Sequence, residues 1–598
     1  MKKIISALIL SVICSAGLLA VPAKPGKIVC TQPDGSTISI IRHGDEWGHW
    51  ITDTQGRVLK KDADGFYREA GVSAGTARAA ARIRRQAIAR TRRAPAGKIA
   101  LGQKRFLVIL VEFSDLSFTT SNPKTAFSNL LNQKGYSVNG ATGSARDYYY
   151  DNSHGVFEPV FDVFGPVKLS KTKAYYGGND DGGNDLYAEE AVVDGCKGLD
   201  SEINFADYDN DGDGEVDLVF MYYAGYGEAD SDDEDAIWPH QWELSSARKS
   251  ITLDGKRIDR YACTNELIGY GSSKGKLCGI GTACHEFGHA MGLPDFYDTD
   301  YDTNGQSAGL FTFSAMDSGS YNNDGRTPPY FNIEERILLG WLDESALRTF
   351  DKSGPVTLTT VDDNIAYKTL TDTEGEYFVY ECRGSNGWDR YLDAHGLIVY
   401  HVDRSGRSVK VDGTSVTAEE LWTNWQNYNA INENGSHPCF YIVPAAGQDD
   451  LMFGHVYYKD GGYYYFDPSY APQIPFPGSK AVSSYTAKSW NGVESDVTLS
   501  SISYSSDVVT FTVKLPSAGL DYPVIANPGN GVYPAGSVFK LELVEVENNP
   551  SASVSWSFDG KSVEASSVAL AAGPHTVTAA VTMKDGSSYF VELEIDAM

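Results

Sequence analysis

One eleven-residue run constrains this chain more than its length or composition does: His285-Glu286-Phe287-Gly288-His289-Ala290-Met291-Gly292-Leu293-Pro294-Asp295. On an α-helix, residues four apart lie one turn apart on the same face. His285 and His289 therefore turn two imidazoles toward one point, as the ligands of a tetrahedral zinc do. Glu286 stands beside them, placed to take a proton from a water that the metal activates. Gly292 accepts the positive φ that ends a helix, and Pro294 forbids its continuation. The chain is thus expected to turn and return Asp295 to the same point, giving a His2Asp set with its fourth position open. Residues 280–291 are otherwise small and apolar, as a buried helix requires.

Downstream lies Phe313-Ser314-Ala315-Met316-Asp317-Ser318-Gly319-Ser320. Together with HEFGHAMGLPDFYD, it resembles the metzincin-like immune inhibitor A family of secreted bacterial metalloproteases. The resemblance implies that Asp295 is the third zinc ligand, in place of a histidine. It also implies that Met316 forms the apolar floor of a methionine turn. Metzincins usually carry a tyrosine two positions after that methionine; Ser318 stands there, which leaves Tyr321 as a candidate for stabilising the oxyanion. Further blocks resemble the same family: ARDYYYDNSHG at 145–155, IWPH at 237–240, residues 328–342, EYFVYECR at 376–383 and HGLIVYHVD at 395–403. The likeness covers most of 105–515. His240 and His401 fall within these blocks and read as hydrogen-bonded structural histidines.

The 598 residues allow three or four domains. Lys2 and Lys3 precede an apolar run over 4–20 and small residues to Ala23, so residues 1–23 are expected to be a signal peptide cut after Ala20 or Ala23. Ile13 before Cys14 disfavours a lipoprotein anchor. No later run reaches the roughly 18 apolar residues of a membrane helix, so a secreted, cell-surface or periplasmic product without an integral membrane segment is expected. A net charge of −29 argues against nucleic acid as partner. Cys30, Cys196, Cys263, Cys278, Cys284, Cys382 and Cys439 remain after the leader, widely spaced and without a CxxC pair; disulfides are permitted but no connectivity follows.

The predicted fold class is α+β, with a metzincin-like protease domain at 105–345. Residues 24–95 are expected to be a β-rich prosegment and an Arg-rich linker, with Arg78, Arg82, Arg84, Arg85, Arg90, Arg92 and Arg93 crowded together. That linker reads either as a solvated basic helix or as a hinge open to an activating protease; the likeness to zymogen-forming proteases favours the hinge. A thiolate from Cys30 in the prosegment would fill zinc's open position. Against this, Cys30 sits in an alternating strand pattern that buries it as a small hydrophobe. A β-sandwich-like domain is expected at 353–515 and an immunoglobulin-like one at 520–598, where apolar alternation is strong.

A second cation constellation is Asp209-Asn210-Asp211-Gly212-Asp213-Gly214-Glu215-Val216-Asp217. Carboxylates at positions 1, 3, 5 and 9, with glycine at 6, follow a calcium loop in which the Glu215 carbonyl is the seventh-position ligand. Phe220 replaces the closing glutamate, so Asp207 or an acidic residue from 228–235 is expected to substitute. The alternative is an acidic turn, but such close like charges repel without a cation. Residues 298–305 repeat the alternation, either as a second calcium loop or as an Asx-rich turn. The reading overall is a secreted zinc endopeptidase acting on protein or peptide substrates, with Glu286 catalytic and structural calcium at one or two sites. Two other classes stay open: a surface adhesin on an inactive scaffold, and a glycan- or matrix-binding protein using its terminal β-domain.

Overall fold

The computed structural model describes residues 21–45, 48–73, 76, 99–179, 185–299, 309–411, 413–447, 468–515, 522–528, 531–546 and 549–598. The leader before Val21, the arginine cluster at 78–93 and most of the turn after Asp298 lie outside the described residues. The chain divides into two compact units, Met1–Val513 and Lys514–Met598.

The first unit opens with an antiparallel meander of β1 (Lys27–Thr31), β2 (Thr37–Asp45), β3 (Gly48–Asp53), β4 (Val58–Lys61) and β5 (Tyr67–Glu69). Alternation along the strands makes it one-sided: Ile28 and Cys30 point inward with Ile40, Ile51, Leu59 and Tyr67, and the intervening Lys27, Val29 and Thr31 are exposed. Six side chains make a small core, so this sheet depends on what it docks against.

The next sheet has the order β7-β6-β8-β12-β9. It comprises β6 (Gly102–Glu112), β7 (Phe157–Lys168), β8 (Val219–Tyr226), β9 (His240–Glu243) and β12 (Arg260–Leu267), while β10 (Ile251–Leu253) and β11 (Lys256–Ile258) form a separate hairpin. Three neighbouring pairs are parallel and only the edge strand β9 is antiparallel. The unbroken apolar run of β6 fits a strand covered on both faces. Phe106, Val108 and Leu110 point into one core, and Leu107, Ile109 and Val111 into another. The first core receives α1 (Pro123–Asn132), α2 (Ala145–Asn152) and α4 (Gly281–Met291); the second receives α3 (Ala188–Gly198). The Phe287 ring meets Phe106 edge-on with ring centres 4.7 Å apart, which presses the α4 helix carrying the histidines onto β6.

Beyond residue 346 the first unit is mostly β. A five-stranded sheet (Leu347–Thr349, Ala366–Leu370, Glu376–Arg383, Gly396–Asp403, Phe440–Val443) adjoins a four-stranded one through ring contacts of Phe378 and Tyr380 with Tyr485. The second unit has its own core, including Phe539, Leu570, Val577, Ala579 and Val581, around a five-stranded sheet and two short strand pairs. The protein is thus mixed α and β, strongly β-rich. The seven described cysteines are all free thiols, so the disulfides that the sequence permits do not form among them.

Candidate metal centre

Helix α4 ends at Gly292, which takes φ +116°, and the Leu293 amide bonds back to the Gly288 carbonyl at 3.0 Å. The chain reverses there and delivers Asp295. His285 Nε2 and His289 Nε2 lie 3.1 Å apart, and Asp295 Oδ1 lies 3.1 and 3.4 Å from them. All three residues are buried. Each imidazole is fixed from behind: His285 Nδ1 donates to the Ala315 carbonyl and His289 Nδ1 to the Leu293 carbonyl, both at 2.8 Å. A carbonyl can only accept, so the protons sit on Nδ1 and both Nε2 atoms present bare lone pairs. Two lone pairs and a carboxylate oxygen thus face one another with no hydrogen between them, an arrangement that needs a cation. At a metal–ligand distance of 2.0–2.1 Å, the edge of a tetrahedron is about 3.3 Å, matching the observed separations. These donors fit zinc.

The surroundings hold this set in place. Met316 is fully buried, and its carbonyl accepts from the Phe296 amide at 3.0 Å, just beyond Asp295. A Cβ at Gly288 would fall 2.4 Å from Met316 Sδ, so the helix passes the methionine only because Gly288 has no side chain. Asn429 was not foreseen. Its Nδ2 donates to Asp295 Oδ2 at 2.6 Å and its Oδ1 accepts from the Asp295 amide at 3.0 Å. It lies 134 residues downstream, and nothing in its local sequence marks it.

Glu286 is buried, and burial pushes its carboxyl well above the usual carboxylate range, offset in part by a backbone donor. That donor is the Val21 nitrogen, 2.9 Å from Oε1; Oε2 has no hydrogen-bond partner among the described residues. The Val21 carbonyl accepts from Trp238 Nε1 at 3.1 Å, and the Pro22 carbonyl accepts from the Tyr321 hydroxyl at 2.8 Å. Tyr321, the expected oxyanion group, is therefore engaged with the N-terminal segment. The Lys24 amide bonds to the Ala229 carbonyl at 2.9 Å, and Val21 packs with Ala229 and Trp238. From β2, Arg42 meets Glu228 at 2.9 Å and donates twice to the Ser231 carbonyl; His49 of β3 reaches Glu228 at 2.9 Å and Lys61 of β4 the Asp232 carbonyl at 3.0 Å. Of the two readings of Cys30, the structure matches burial as a small hydrophobe rather than a thiolate at the zinc site. Its side chain lies in the core of the small sheet, where burial pushes the thiol up to about 12, and it is Val21 that reaches Glu286.

Of the acidic loop, the structure brings Asp209, Asp211 and Asp217 together, with one oxygen of each within 4.8 Å of the others. Gly214 turns at φ +94°. Asp213 stays outside that group, accepting from the Glu215 amide; the Glu215 carboxylate pairs with Arg257, and its carbonyl is the atom that the sequence assigns as a ligand. Lys256 Nζ already sits 2.6 Å from Asp209 Oδ2. Of the candidates to replace the closing glutamate, Asp207 pairs with Arg105, Glu228 pairs with Arg42 of β2, and the Asp232 carbonyl accepts from Lys61 of β4. Of the second acidic run, Asp298 and Thr299 are described and buried; residues 300–308 lie outside the described residues. His240 and His401 are buried structural groups, His240 between the Trp238 carbonyl and the Tyr261 hydroxyl, and His401 between Tyr441 and Glu376.

Residues 97–335 match the family profile described as immune inhibitor A peptidase M6, catalytic domain. The pre-pro-metalloprotease PrtV of Vibrio cholerae is 28% identical over 354 residues, covering 48% of this chain and 38% of that protein. Immune inhibitor A of Bacillus thuringiensis subsp. alesti is 23% identical over 345 residues, covering 47% of this chain and 49% of that protein. The chain thus spans less than half the length of these curated relatives. A crystal structure of catalytically inactive OgpA from Akkermansia muciniphila with an O-glycopeptide aligns over 85% of this chain and 95% of that one, at 9% identity and a TM-score of 0.20, too low to show a shared fold. The motif helix, the returning Asp295 and the Met316 turn all fall inside the matched segment, and the chain therefore carries, over residues 97–335, a catalytic domain of the immune inhibitor A peptidase M6 family.

Proposed function

We propose that this chain is a zinc endopeptidase, exported and made as a latent precursor, that hydrolyses peptide bonds of protein substrates. The observation that carries the reading is the meeting of two bare imidazole nitrogens and a carboxylate oxygen at tetrahedral spacing beside a buried glutamate. His285, His289 and Asp295 would hold the zinc, whose Lewis acidity polarises the scissile carbonyl when it is bound. Glu286 orients the attacking water through its unpartnered Oε2, takes its proton and passes it to the leaving nitrogen. The Val21 nitrogen on Oε1 marks where that leaving nitrogen sits. Trp238 and Tyr321 hold successive backbone carbonyls of the segment that follows.

The same contacts support latency. Residues 21–24 fill the side of the cleft that the departing half of a substrate would use, and Arg42, His49 and Lys61 fasten the sheet behind them. Cleavage of the leader after Ala20 keeps Val21 in place, whereas cleavage after Ala23 would remove it, so the first site is the consistent one. Release then requires a cut in the arginine-rich segment by an activating protease. Calcium at Asp209, Asp211 and Asp217 would stiffen the loop before β8, and the terminal unit reads as immunoglobulin-like. Neither the adhesin nor the glycan-binding reading gains support from the relatives. Glu286→Ala tests the proposal: the processed variant is expected to retain zinc by metal analysis yet lose casein hydrolysis. Full activity in that variant, or none in zinc-loaded processed wild type, would overturn it.

A further inference from the structure

The segment from Val21 to Lys24 makes two kinds of contact with the catalytic domain. The bonds from Trp238 and Tyr321 and the bond to Ala229 use only its backbone, so any extended peptide could repeat them. Lys24 adds a contact that depends on its side chain. Its Nζ lies 4.4 Å from the centre of the Tyr270 ring; burial holds its ammonium below the usual lysine range, and Asp230 and Asp324 are the carboxylates that oppose that shift. Its hydrogen bond goes to its own neighbour, the Pro25 carbonyl, at 2.7 Å.

The seat is built into the cleft wall. Tyr270 touches Tyr321 edge-on with ring centres 6.4 Å apart, so the aromatic platform is continuous with the group that holds the Pro22 carbonyl. Asp230 is nine-tenths buried; Oδ2 accepts from the Gly269 amide at 3.2 Å, and Oδ1 has no hydrogen-bond partner among the described residues. Burial pushes its carboxyl up to about 7, opposed by the Gly269 amide and the charge of Lys24. The other nearby cations are committed, Arg326 to Asp324 at 3.0 Å and Lys274 to Asp232 at 3.2 Å. A Cβ at Gly269 would fall 2.8 Å from Asp230 Oδ1, so that side of the seat is already closed.

We infer that Tyr270, Asp230 and Asp324 form a substrate subsite that takes lysine or arginine four residues after the cleaved bond, and that Lys24 occupies it as the substrate's residue would. The inference rests on the peptidase reading above and adds a specificity to it. Activated wild-type protein is assayed at pH 8 with internally quenched peptides that share one sequence before the cut and continue Val-Pro-Ala-Xaa. Xaa is lysine, arginine, norleucine or glutamate, and in two further peptides lysine is moved one place either way. kcat/KM is expected to be about tenfold higher for lysine and arginine than for glutamate, with norleucine between them and the shifted lysines without advantage. Asp230→Asn with Asp324→Asn should bring lysine and glutamate close together. Separately, calorimetry compares Val-Pro-Ala-Lys amide with its norleucine counterpart, the lysine peptide being expected to bind more tightly. Equal kcat/KM for lysine, norleucine and glutamate, or the same gain from a shifted lysine, overturns the subsite and leaves the peptidase reading intact. If no peptide is cleaved the peptidase reading falls, and the calorimetric pair alone decides the seat.

Discussion

If the N-terminal sheet holds the enzyme latent, as proposed, Arg42→Ala should make it leaky. Arg42 and Glu228 are both withdrawn from solvent, and the guanidinium spans two partners at once, the Glu228 carboxylate at 2.9 Å and the Ser231 carbonyl at 3.0 and 3.2 Å. Removing it leaves Glu228 buried with only His49 and Asn179 to answer its charge. Breaking a buried ion pair from one side costs about 3–5 kcal/mol, because the partner is stranded. That cost exists only while the N-terminal sheet is docked, since an undocked Glu228 regains water. The docking constant should therefore weaken by about 10²- to 4 × 10³-fold, at 1.4 kcal/mol per tenfold. Full-length protein is nicked in the arginine-rich segment with trypsin, so that docking becomes non-covalent, and peptidase activity is followed on dilution. The variant should reach half-maximal activity at a concentration higher by that factor. Lys61→Ala, which removes one hydrogen bond to the Asp232 carbonyl, should shift it less than tenfold, corresponding to about 1 kcal/mol. An Arg42→Ala curve that overlays wild type would refute the claim that this buried pair holds the protein latent.

Asp295→Ala should lose zinc on dialysis, while Asn429→Ala, which frees the ligand carboxylate from its amide clamp, should weaken zinc affinity about 10- to 100-fold in a chelator competition; unchanged zinc content in the first variant would exclude Asp295 as a ligand. Calcium at about a hundredfold excess over its Kd should add about 2.7 kcal/mol of stability. Asp211→Ala with Asp217→Ala should abolish the resulting rise in thermal midpoint, and an undiminished rise would place the cation elsewhere. Burial lowers the His240 imidazole from 6.5 to about 4, against a raising contact from the Trp238 carbonyl. A depressed folded-state value means its contribution is complete above pH 6.5 and is lost as pH falls toward 4, up to about 3 kcal/mol. In urea titrations at pH 7.5 and 4.5, His240→Gln should therefore lose less stability than wild type between the two, and an equal loss would show that His240 does not drive the acid sensitivity.

What the sequence made legible is what local spacing determines. The four-residue step from His285 to His289, the positive-φ glycine and the proline sufficed for α4 and its reversal, because a helix and its C-terminal turn are specified within a dozen residues. The unbroken apolar run of β6 is of the same local kind, and it fits the burial on both faces that the structure shows. Contacts made across the chain were not legible. Asn429 grips Asp295 from another part of the first unit, and Val21 reaches Glu286 across 265 positions; the latter falls where the sequence suggests only a leader's cleavage region. The acidic loop shows why such distance matters for inference. Its charges, counted within nine residues, seem to demand a metal. The hairpin β10–β11 brings Lys256 to Asp209 and Arg257 to Glu215, so two of the carboxylates already have cations. Repulsion within the loop is therefore a weaker argument for calcium than its sequence suggests. A calcium ion must displace the Lys256 ammonium from Asp209, which makes Lys256→Met the change that should tighten calcium binding if the three converging aspartates are its ligands.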